Sequence, residues 1–387
     1  MDLNADHLAA CVLDSSGNPL GDPTTVAVDT AGLHDLRVCK RFARVHPNGN
    51  PGPPPYCETM ALTVAVTGPT GQIGTAAVTA LERDPAVERI HGMARRPFDP
   101  ASMGWLKTTY RQGDILDRGT VDALVADADV VIHLAFVIMG SRDESQRVNL
   151  AGTRNVFQAC ASGAYRGRPR RLVYTSSVAA YGYHSDNPVP LTEDVSTRGS
   201  PEHYYSEQKA ALEAALARIT QGSPLEVFVL RPCIVAGPNA RLLAEAMPWN
   251  WVPLVRSVTR AIPLFKTLVP DPGFPLQLVH HDDVAAAIAL AATTSVPAGA
   301  YNIAGDGVVS MSDVVAALGG RPVRVPAVAA TVVLGALARL PFVPSAAQWL
   351  HVARTSVVMD TSKAKTQLGW TPRYTSAQTL EALAASL

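Results

Sequence analysis

The stretch LTVAVTGPTGQIGTAAVTALER, residues 62–83, decides the fold class. Its first six residues are typical of a buried strand, and the Ala-rich part from Gln72 onward is typical of a helix. Glycines between them let the backbone turn sharply and approach a pyrophosphate, which N–H groups at the helix N-terminus then face. The turn therefore predicts a dinucleotide site, made of Gly68, Thr70, Gly71, Gln72, Ile73 and Gly74.

The same alternation of apolar runs and helix-length segments continues along the chain. The later runs are RIHGMAR, TTYRQGD, DVVIHLAF, RRLVYTSS and EVFVLRP. This rhythm predicts an α/β fold, a Rossmann-type doubly wound parallel sheet with a smaller C-terminal substrate domain. We assign residues 60–237 and 276–299 to the NAD(P)-binding domain, and residues 238–275 and 300–387 to the substrate-binding domain.

Residues 1–59 are predicted to be separate from this fold. They end in HPNGNPGPPPYCET, whose prolines and glycines mark a linker. Residues 2–21 resemble the first strands of the RNase H-like nuclease in some insertion-element transposases. Such a nuclease holds its metal ions with several carboxylates from distant strands, which Asp2 and Asp6 alone cannot provide. We therefore expect a disordered or vestigial extension, or an upstream start-site artefact.

Composition excludes several functions. Lys plus Arg number 33 and Asp plus Glu number 33, so no net field attracts nucleic acid or an anionic membrane. The five cysteines form no CxxC pair and have no nearby His at ligand spacing, which predicts reduced thiols. The N-terminus lacks the basic start and apolar run of a signal peptide, so we expect a cytoplasmic protein. The apolar stretch 328–340 is shorter than the roughly 20 residues of a membrane span, and we expect a packed helix, with a lipid-like ligand contact as the alternative.

Two arginines follow the second predicted strand, where the type of cofactor is decided. An NAD enzyme usually has an acid there, about 20 residues after the last glycine, for the ribose hydroxyls. This chain has Arg95 and Arg96 instead. Guanidinium groups suit a 2′-phosphate, so NADP is favoured over NAD, with a solvated surface pair as the alternative. Asp114, after the third strand, is a candidate acceptor for the adenine amine, with an ordinary loop acid as the alternative.

A tyrosine and a lysine four residues apart form the candidate catalytic pair. Tyr205 and Lys209 precede AALEAALARI, which predicts a helix with both side chains on one face. Phenol titrates near pH ~10, but a neighbouring ammonium and a positive nicotinamide favour the phenolate and bring it into range for proton transfer. Lys209 could also hold the nicotinamide ribose. At the end of RRLVYTSS, Ser177 is the candidate to hydrogen bond the reacting oxygen, with a cap or turn former as the alternative.

The order of the motifs resembles a known family. The motifs are TGPTGQIG, GDILD, VIHLAF, VNLAGTRNV, VYTSSVAAYG, YxxxK, LRPCIVAGP, LVHHDDVA and LGWTP. Over residues 62 to about 375 the chain resembles the extended short-chain dehydrogenase/reductases of the NAD-dependent epimerase/dehydratase type. The resemblance implies hydride transfer between nicotinamide C4 and a substrate carbon, with Tyr205 moving the proton, Lys209 lowering its pKa and Ser177 steadying the oxygen. It also implies that Asn149 supports the neighbourhood of the fourth strand, and it adds these cofactor contacts: Ile115, Leu134, Ala135, Pro232, Ile234 and Val235.

Two departures from the family motifs bear on the substrate. Nucleotide-sugar epimerases typically have Arg at the position of Leu276 and Asn at that of Ile234, both for the substrate diphosphate. Arg231 or bases of segment 238–275 could substitute. That segment is expected to cover the substrate, with the bulky and basic residues Trp249, Trp251, Arg256, Arg260, Phe265 and Lys266.

Three functions therefore stay open. The first is an epimerase/dehydratase-like oxidoreductase acting on a hydroxyl or keto carbon, including that of a nucleotide sugar. The second is an NADP(H)-dependent ketone or aldehyde reductase, or a hydroxysteroid-dehydrogenase-like enzyme, with a less polar substrate. The third is a Rossmann protein that senses NAD(P) without turnover. The expected partner is a small-molecule substrate, and the resemblance also implies a homodimer through two long helices.

Two further clusters of polar residues are candidates for a metal site or a substrate contact. Residues 280–283, HHDD, contain metal-ligand types, but neighbours on a strand point to opposite faces, so we expect no metal and an acid as the N-cap of the next helix. Glu193 and Asp194 lie between Ser177 and Tyr205 in sequence. They are expected either to face the substrate or to form a solvated turn.

Overall fold

The structure is a computed structural model that describes residues 7–10, 24–27, 61–138, 142–245, 268–271, 273–325 and 357–387. The chain divides into two compact units, Met1–Thr59 and Met60–Leu387. In the first unit the described strands, β1 (His7–Ala10) and β2 (Thr24–Ala27), form an antiparallel pair. The predicted side chains of segment 238–275, from Trp249 to Lys266, and the stretch 328–340 lie outside the described residues.

A seven-stranded parallel sheet organises the second unit, in the order β13-β8-β7-β6-β3-β4-β5. The predicted doubly wound sheet is therefore confirmed. The chain reverses direction across the sheet between β3 and β6, which is where such sheets bind ligands. Its strands are β3 (Leu62–Thr67), β4 (Val87–Ala94), β5 (Thr108–Gln112), β6 (Val130–His133), β7 (Arg171–Thr175), β8 (Glu226–Pro232) and β13 (Gly299–Ile303).

Helices cover both faces of the sheet. Successive residues of β3 point to opposite faces, so Val64 and Val66 join one apolar core and Ala65 joins the other. The helices are α1 (Gln72–Arg83), α2 (Arg118–Val125), α3 (Arg142–Gln146), α4 (Thr153–Ala164), α5 (Tyr204–Ile219), α6 (Leu242–Glu245), α7 (His281–Thr293), α8 (Met311–Ala317), α9 (Ser362–Gln367) and α10 (Ser376–Ala384). Shorter 3-10 turns span Pro100–Met103 and Val178–Tyr181, and Arg147–Gly152 is π-helical. None of the described helices is long and apolar enough to cross a lipid bilayer.

Smaller strand pairs lie outside the main sheet. Strand β9 (Ile234–Ala236) pairs in parallel with β12 (Leu278–His280), and β10 (Leu268–Asp271) pairs in parallel with β15 (Arg321–Arg324). The two-residue strands β11 (Pro275–Leu276) and β14 (Val309–Ser310) pair antiparallel.

These pairings correct the domain boundary at residue 299. We placed the strand YNIA in the substrate-binding domain, but β13 pairs with β8 at the edge of the main sheet. The return strand PLQLVH, which we placed in the nucleotide-binding domain, pairs outside that sheet. Both segments have the composition of ordinary strands, so sequence alone could not assign their partners.

A buried acid ties the C-terminal segment to this body. Asp283, in the first turn of α7, accepts the backbone N–H groups of Arg373 and Tyr374 at 3.0 and 3.1 Å. Its own backbone oxygen accepts the indole N–H of Trp370 at 2.8 Å. The motifs LVHHDDVA and LGWTP, which are far apart in sequence, therefore meet in space.

Candidate active site

The glycine turn has the geometry of a pyrophosphate cradle. Gly68 has φ of +76°, and a Cβ there would lie 2.8 Å from the backbone nitrogen of Ala135. A Cβ on Gly74 would lie 2.1 Å from the backbone oxygen of Gly68. Gly71 caps α1 without a side-chain hydrogen bond, which leaves the N–H groups of the first turn open to an anion. The residues present therefore fit a dinucleotide.

The end of β6 forms the other wall of this crevice. Leu134 donates its backbone N–H to Thr67 at 3.0 Å, and the side chains of Leu134 and Ala135 are half-buried beside the glycine turn. Asn149 supports this region as predicted, because its side chain bonds the backbone N–H and C=O of Val137 at 2.8 and 2.9 Å. The same amide also donates to Gln208 on α5, one residue before Lys209. The crevice wall and the candidate catalytic helix are thus joined.

The residues predicted at the adenosine end lie at the ends of β4 and β5. Arg95 and Arg96 are exposed, and Arg95 makes an ion pair with Glu144 at 3.6 Å. The half-buried carboxylate of Asp114 accepts the backbone N–H of Leu116 at 3.0 Å, which is the loop role weighed as its alternative. Ile115 is buried against Gly152, so its side chain belongs to the core.

Ser177 and Tyr205 meet at the end of β7. The Ser177 hydroxyl lies close enough to the Tyr205 phenol to oppose the rise that burial causes in the pKa of the phenol, and Tyr205 is half-buried on the first turn of α5. The Ser177 hydroxyl also accepts the backbone N–H of Ala179 at 3.2 Å, so the serine caps the following 3-10 turn as well. The structure brings together the hydroxyl and the phenol that the motifs predicted.

Lys209 lies one helical turn below Tyr205 and is buried. Its Nζ donates to the backbone oxygen of Thr175 at 2.9 Å and lies 3.8 Å from the centre of the Phe136 ring and 5.8 Å from that of Tyr205. Burial lowers the pKa of Lys209 to about 7, and the nearby carboxylate of Glu213 opposes that change. The ammonium is therefore poised to titrate near neutral pH.

The phenol of Tyr205 differs from the prediction. We expected Lys209 to lower its pKa, but burial raises the pKa of Tyr205 to about 12, and it is the nearby Ser177 hydroxyl that opposes this rise. The physical reason is that the phenol has lost water while the ammonium of Lys209 is bonded to Thr175.

Aromatic side chains surround the pair, and sequence reasoning did not single them out. Phe136 packs edge-on against Tyr205 with ring centres 5.5 Å apart, and His203 lies 6.1 Å from the same ring. Tyr183 packs edge-on against His203 at 5.5 Å. Phe136 lies within the motif VIHLAF, which was the available signal.

Arg231 does not point to a substrate, contrary to one of our expectations. It is buried and forms an ion pair with Glu213 on α5 at 2.7 Å. It also donates to the Tyr181 hydroxyl at 2.8 Å. Glu193 is half-buried, and its carboxylate accepts the backbone N–H of Asn302 at 2.8 Å, so it is not the solvated turn residue that was one of its two expected roles. Asp194 is exposed.

The side chains at the two positions where the family motifs have polar residues pack in apolar surroundings. Leu276 is buried in a cluster with Leu278 and Val309, and Ile234 packs against that cluster. Tyr183 packs against the same cluster. Of the remaining cofactor candidates, Pro232 is buried at the end of β8 and Val235 is half-buried in β9.

Residues 280–282 correct our argument about the HHDD segment. The rings of His280 and His281 lie 4.3 Å apart, and potential ligand atoms of His280, His281 and Asp282 all lie within 4.8 Å of one another. They do converge, because the chain leaves β12 and enters α7 between the two histidines. The N-cap is His280, which accepts the backbone N–H of Asp282 at 3.2 Å, and not an acid. Both rings are buried, and His280 is stacked on Tyr374 at 4.0 Å.

Comparison with known proteins identifies the family. The sequence model of the NAD dependent epimerase/dehydratase family matches residues 64–304, more than half of the chain. Human 3 beta-hydroxysteroid dehydrogenase type 7 is 31% identical over 209 residues, covering 49% of this chain and 54% of that protein. The match therefore spans about half of the human protein.

Solved structures share the fold at low sequence identity. The Bordetella bronchiseptica enzyme WbmG in complex with NAD has a TM-score of 0.60 at 19% identity, covering 88% of this chain and 96% of that one. UDP-glucose 4-epimerase from Thermotoga maritima, solved with UDP-glucose, has a TM-score of 0.62 at 18% identity, covering 84% and 98%. With the family match, the parallel sheet and the glycine turn, these likenesses lead to one conclusion: the chain belongs to the NAD dependent epimerase/dehydratase family.

Proposed function

We propose that the protein is an NAD(P)-dependent oxidoreductase that acts on a hydroxyl or keto carbon. The observation that carries the proposal is that the Ser177 hydroxyl and the Tyr205 phenol meet at the end of β7, with the ammonium of Lys209 buried one turn below. Phenol, hydroxyl and ammonium in this arrangement are suited to moving a proton at a substrate oxygen. A non-catalytic nucleotide sensor has no need for such a set.

The chain's own residues would divide the work as follows. The glycine turn and the N-terminus of α1 bind the pyrophosphate, and a bound nicotinamide supplies or accepts the hydride. Tyr205 exchanges a proton with the substrate oxygen, and Ser177 donates a hydrogen bond that holds this oxygen in place. Lys209, when charged, stabilises the phenolate that Tyr205 becomes in that exchange.

We infer NADP(H) as the favoured cofactor. Arg95 and Arg96 stand at the end of β4, exposed, where the 2′ position of the adenosine ribose is bound in this kind of fold. In the part of the chain that the structure describes, the Arg95 guanidinium makes one long ion pair, to a half-exposed Glu144, so it can turn to a phosphate. WbmG, which shares the fold, was solved with NAD. The proposed preference of this chain for NADP(H) therefore rests on Arg95 and Arg96 and not on that comparison.

A less polar substrate is favoured over a nucleotide sugar. Leu276 and Ile234 contribute to an apolar cluster, and Arg231 is neutralised by Glu213. Among the described residues, none of these three positions offers a charge to a diphosphate. The human relative that acts on a hydroxysteroid, by its name, is consistent with this choice.

Turnover assays on the purified protein test the proposal. Ketones and aldehydes with apolar bodies should oxidise added NADPH, whereas nucleotide sugars should give no turnover. Tyr205→Phe should lower kcat by roughly 100-fold or more while nucleotide binding stays intact, because only the proton donor is lost. If Tyr205→Phe kept full activity, the sensor hypothesis would gain and the proposed mechanism would fail. Epimerisation of a nucleotide sugar without net NADPH use would instead support the first of the open functions.

A further inference from the structure

A buried carboxylate lies on the same face of α5 as the candidate catalytic pair. Tyr205, Lys209 and Glu213 follow at four-residue intervals, and Glu213 is 9% exposed. Its Oε2 accepts a hydrogen bond from the Arg231 guanidinium at 2.7 Å, and its Oε1 accepts one from the Ser176 hydroxyl. A buried carboxylate is costly unless it is paired and hydrogen bonded, and this one is both.

These bonds fix the strand end that carries Ser177. Ser176 precedes Ser177 directly, and its side chain bonds to Glu213 while its backbone N–H donates to Leu230 on β8 at 2.7 Å. Glu213 thereby joins α5 to the end of β7 and, through Arg231, to β8. The distance between the Ser177 hydroxyl and the Tyr205 phenol is set by elements that this single carboxylate connects.

Glu213 also differs in charge from the other titratable groups that face Lys209 in the described part of the chain. From β6, His133 is buried and its pKa is lowered to about 3, so it is neutral. From β7 and α5, burial raises the pKa of Tyr174 well above its usual value and that of Tyr205 to about 12, so both are neutral as well. Arg231, from β8, is a cation held on the carboxylate of Glu213. Among these groups the single anion is Glu213.

We propose that Glu213 is a positioning residue of the active site, which fixes Ser177 opposite Tyr205 through Ser176 and supplies the counter-charge that keeps Lys209 an ammonium ion. The catalytic consequence rests on the proposed function. The effect on the charge of Lys209 does not, and it can be measured without a substrate.

The charge of Lys209 is measured first, by NMR titration of protein labelled with ¹³C at lysine Cε. The chain has six lysines, and Lys209→Met assigns the signal of interest. Glu213→Gln should lower the pKa of Lys209 by about one unit and leave the other lysines unchanged, because an anion facing the ammonium is removed. The matched control is Glu226→Gln, which breaks the Glu226–Arg171 pair, also 2.7 Å, at the opposite end of β7 and β8. An unchanged Lys209 titration in Glu213→Gln would overturn the proposal that Glu213 supplies the counter-charge to Lys209.

Kinetics then separate the effect of the Glu213 charge from that of its hydrogen bond to Ser176. Glu213→Gln should lower kcat roughly 10-fold with little change in KM, and the alkaline fall of kcat should move to lower pH as Lys209 loses its proton earlier. Ser176→Ala keeps the charge but removes the bond to the strand end, so it should lower kcat roughly 3-fold to 10-fold without moving the pH profile. Rates for Ser176→Ala equal to those of Glu226→Gln would overturn the proposal that Glu213 positions Ser177 through Ser176.

Folding and turnover are controlled separately. Glu213→Gln leaves Arg231 buried without its partner, so if it fails to fold, the variant Glu213→Gln with Arg231→Gln is titrated in its place. A smaller shift of the Lys209 pKa in the same downward direction is then expected, because removing the Arg231 cation offsets part of the loss of the carboxylate. A wild-type protein without any turnover refutes the proposed function, while the NMR titration still decides the counter-charge. Normal turnover with an unshifted Lys209 refutes the inference alone.

Discussion

The backbone oxygen of Thr175 accepts a hydrogen bond from Lys209 Nζ at 2.9 Å, which joins the candidate catalytic helix to the end of β7. Thr175 is two residues before Ser177, so the lysine is bonded next to the serine it works with. The buried Nζ lies over the Phe136 ring at 3.8 Å, and burial lowers its pKa to about 7. Holding a lysine in this place favours chemistry and disfavours stability, and the two effects can be measured apart.

Lys209→Met should lower kcat/KM by about 100-fold or more, because the variant cannot stabilise a phenolate on Tyr205. The measurement is NADPH oxidation with the best carbonyl substrate found. Lys365→Met is the control, because Lys365 makes a surface ion pair with Asp306. Equal activities of the two variants would remove Lys209 from the mechanism.

The same variant tests the buried charge through stability. The pKa of Lys209 is about 7 in the folded chain and about 10.4 when unfolded, so the unfolded chain binds more protons between these values. The free energy of unfolding of the wild type should therefore rise relative to Lys209→Met between pH 7 and 10, by up to about 1.4 kcal/mol per pH unit. Below pH 7 the difference should be flat. Urea unfolding at several pH values measures it, and parallel pH curves would contradict the depressed pKa.

Gly74→Ala should destabilise the fold by about 1–3 kcal/mol and abolish nucleotide binding, because its Cβ would lie 2.1 Å from the backbone oxygen of Gly68. Gly71→Ala is the matched control in the same turn. Its Cβ would lie 3.5 Å from that oxygen, an ordinary contact, so its free energy of unfolding should change by less than about 1 kcal/mol. Similar losses of stability in both variants would show that the turn is not closed by the contact at Gly74.

The glycine turn and α5 could be predicted from sequence because both depend on local patterns. A strand, three glycines at fixed spacing and a helix leave few backbone arrangements, and β3, Gly68 and α1 lie as expected. Tyr205 and Lys209 are four residues apart on a regular helix, so their common face follows from helical geometry.

Long-range partners could not be predicted in the same way. Arg231 looked like a base available to a substrate, and nothing near it in sequence shows that Glu213, 18 residues earlier, neutralises it. Strand β13 has no local signal that assigns it to β8. The raised pKa of Tyr205 also depends on burial by several elements, which the YxxxK spacing does not contain.

Arg96→Glu should reduce the preference for NADP over NAD by at least about 10-fold, because a carboxylate repels a 2′-phosphate and accepts hydrogen bonds from ribose hydroxyls. The affinities of both nucleotides are measured by fluorescence titration. Arg166→Glu changes another exposed arginine, at the C-terminal end of α4, and should leave the ratio unchanged. A wild type that binds NAD more tightly than NADP, with no response to Arg96→Glu, would assign these arginines to the solvated surface.

Asp283→Asn should destabilise the protein by about 1–3 kcal/mol, although it keeps the shape of the side chain. The carboxylate of Asp283 is fully buried and accepts N–H groups of Arg373 and Tyr374 on its two oxygens. An amide can accept only one of them and places its own N–H groups against the other, which leaves buried donors unpaired. Asp282→Asn, at an adjacent side chain that is 48% exposed, should change the free energy of unfolding by less than about 0.5 kcal/mol.

Limited proteolysis should then cut Asp283→Asn faster within residues 357–387, because the bonds that hold Trp370, Arg373 and Tyr374 against α7 are weakened there first. Equal unfolding free energies for the two variants would mean that the meeting of the HHDD and LGWTP segments contributes nothing to stability through this carboxylate.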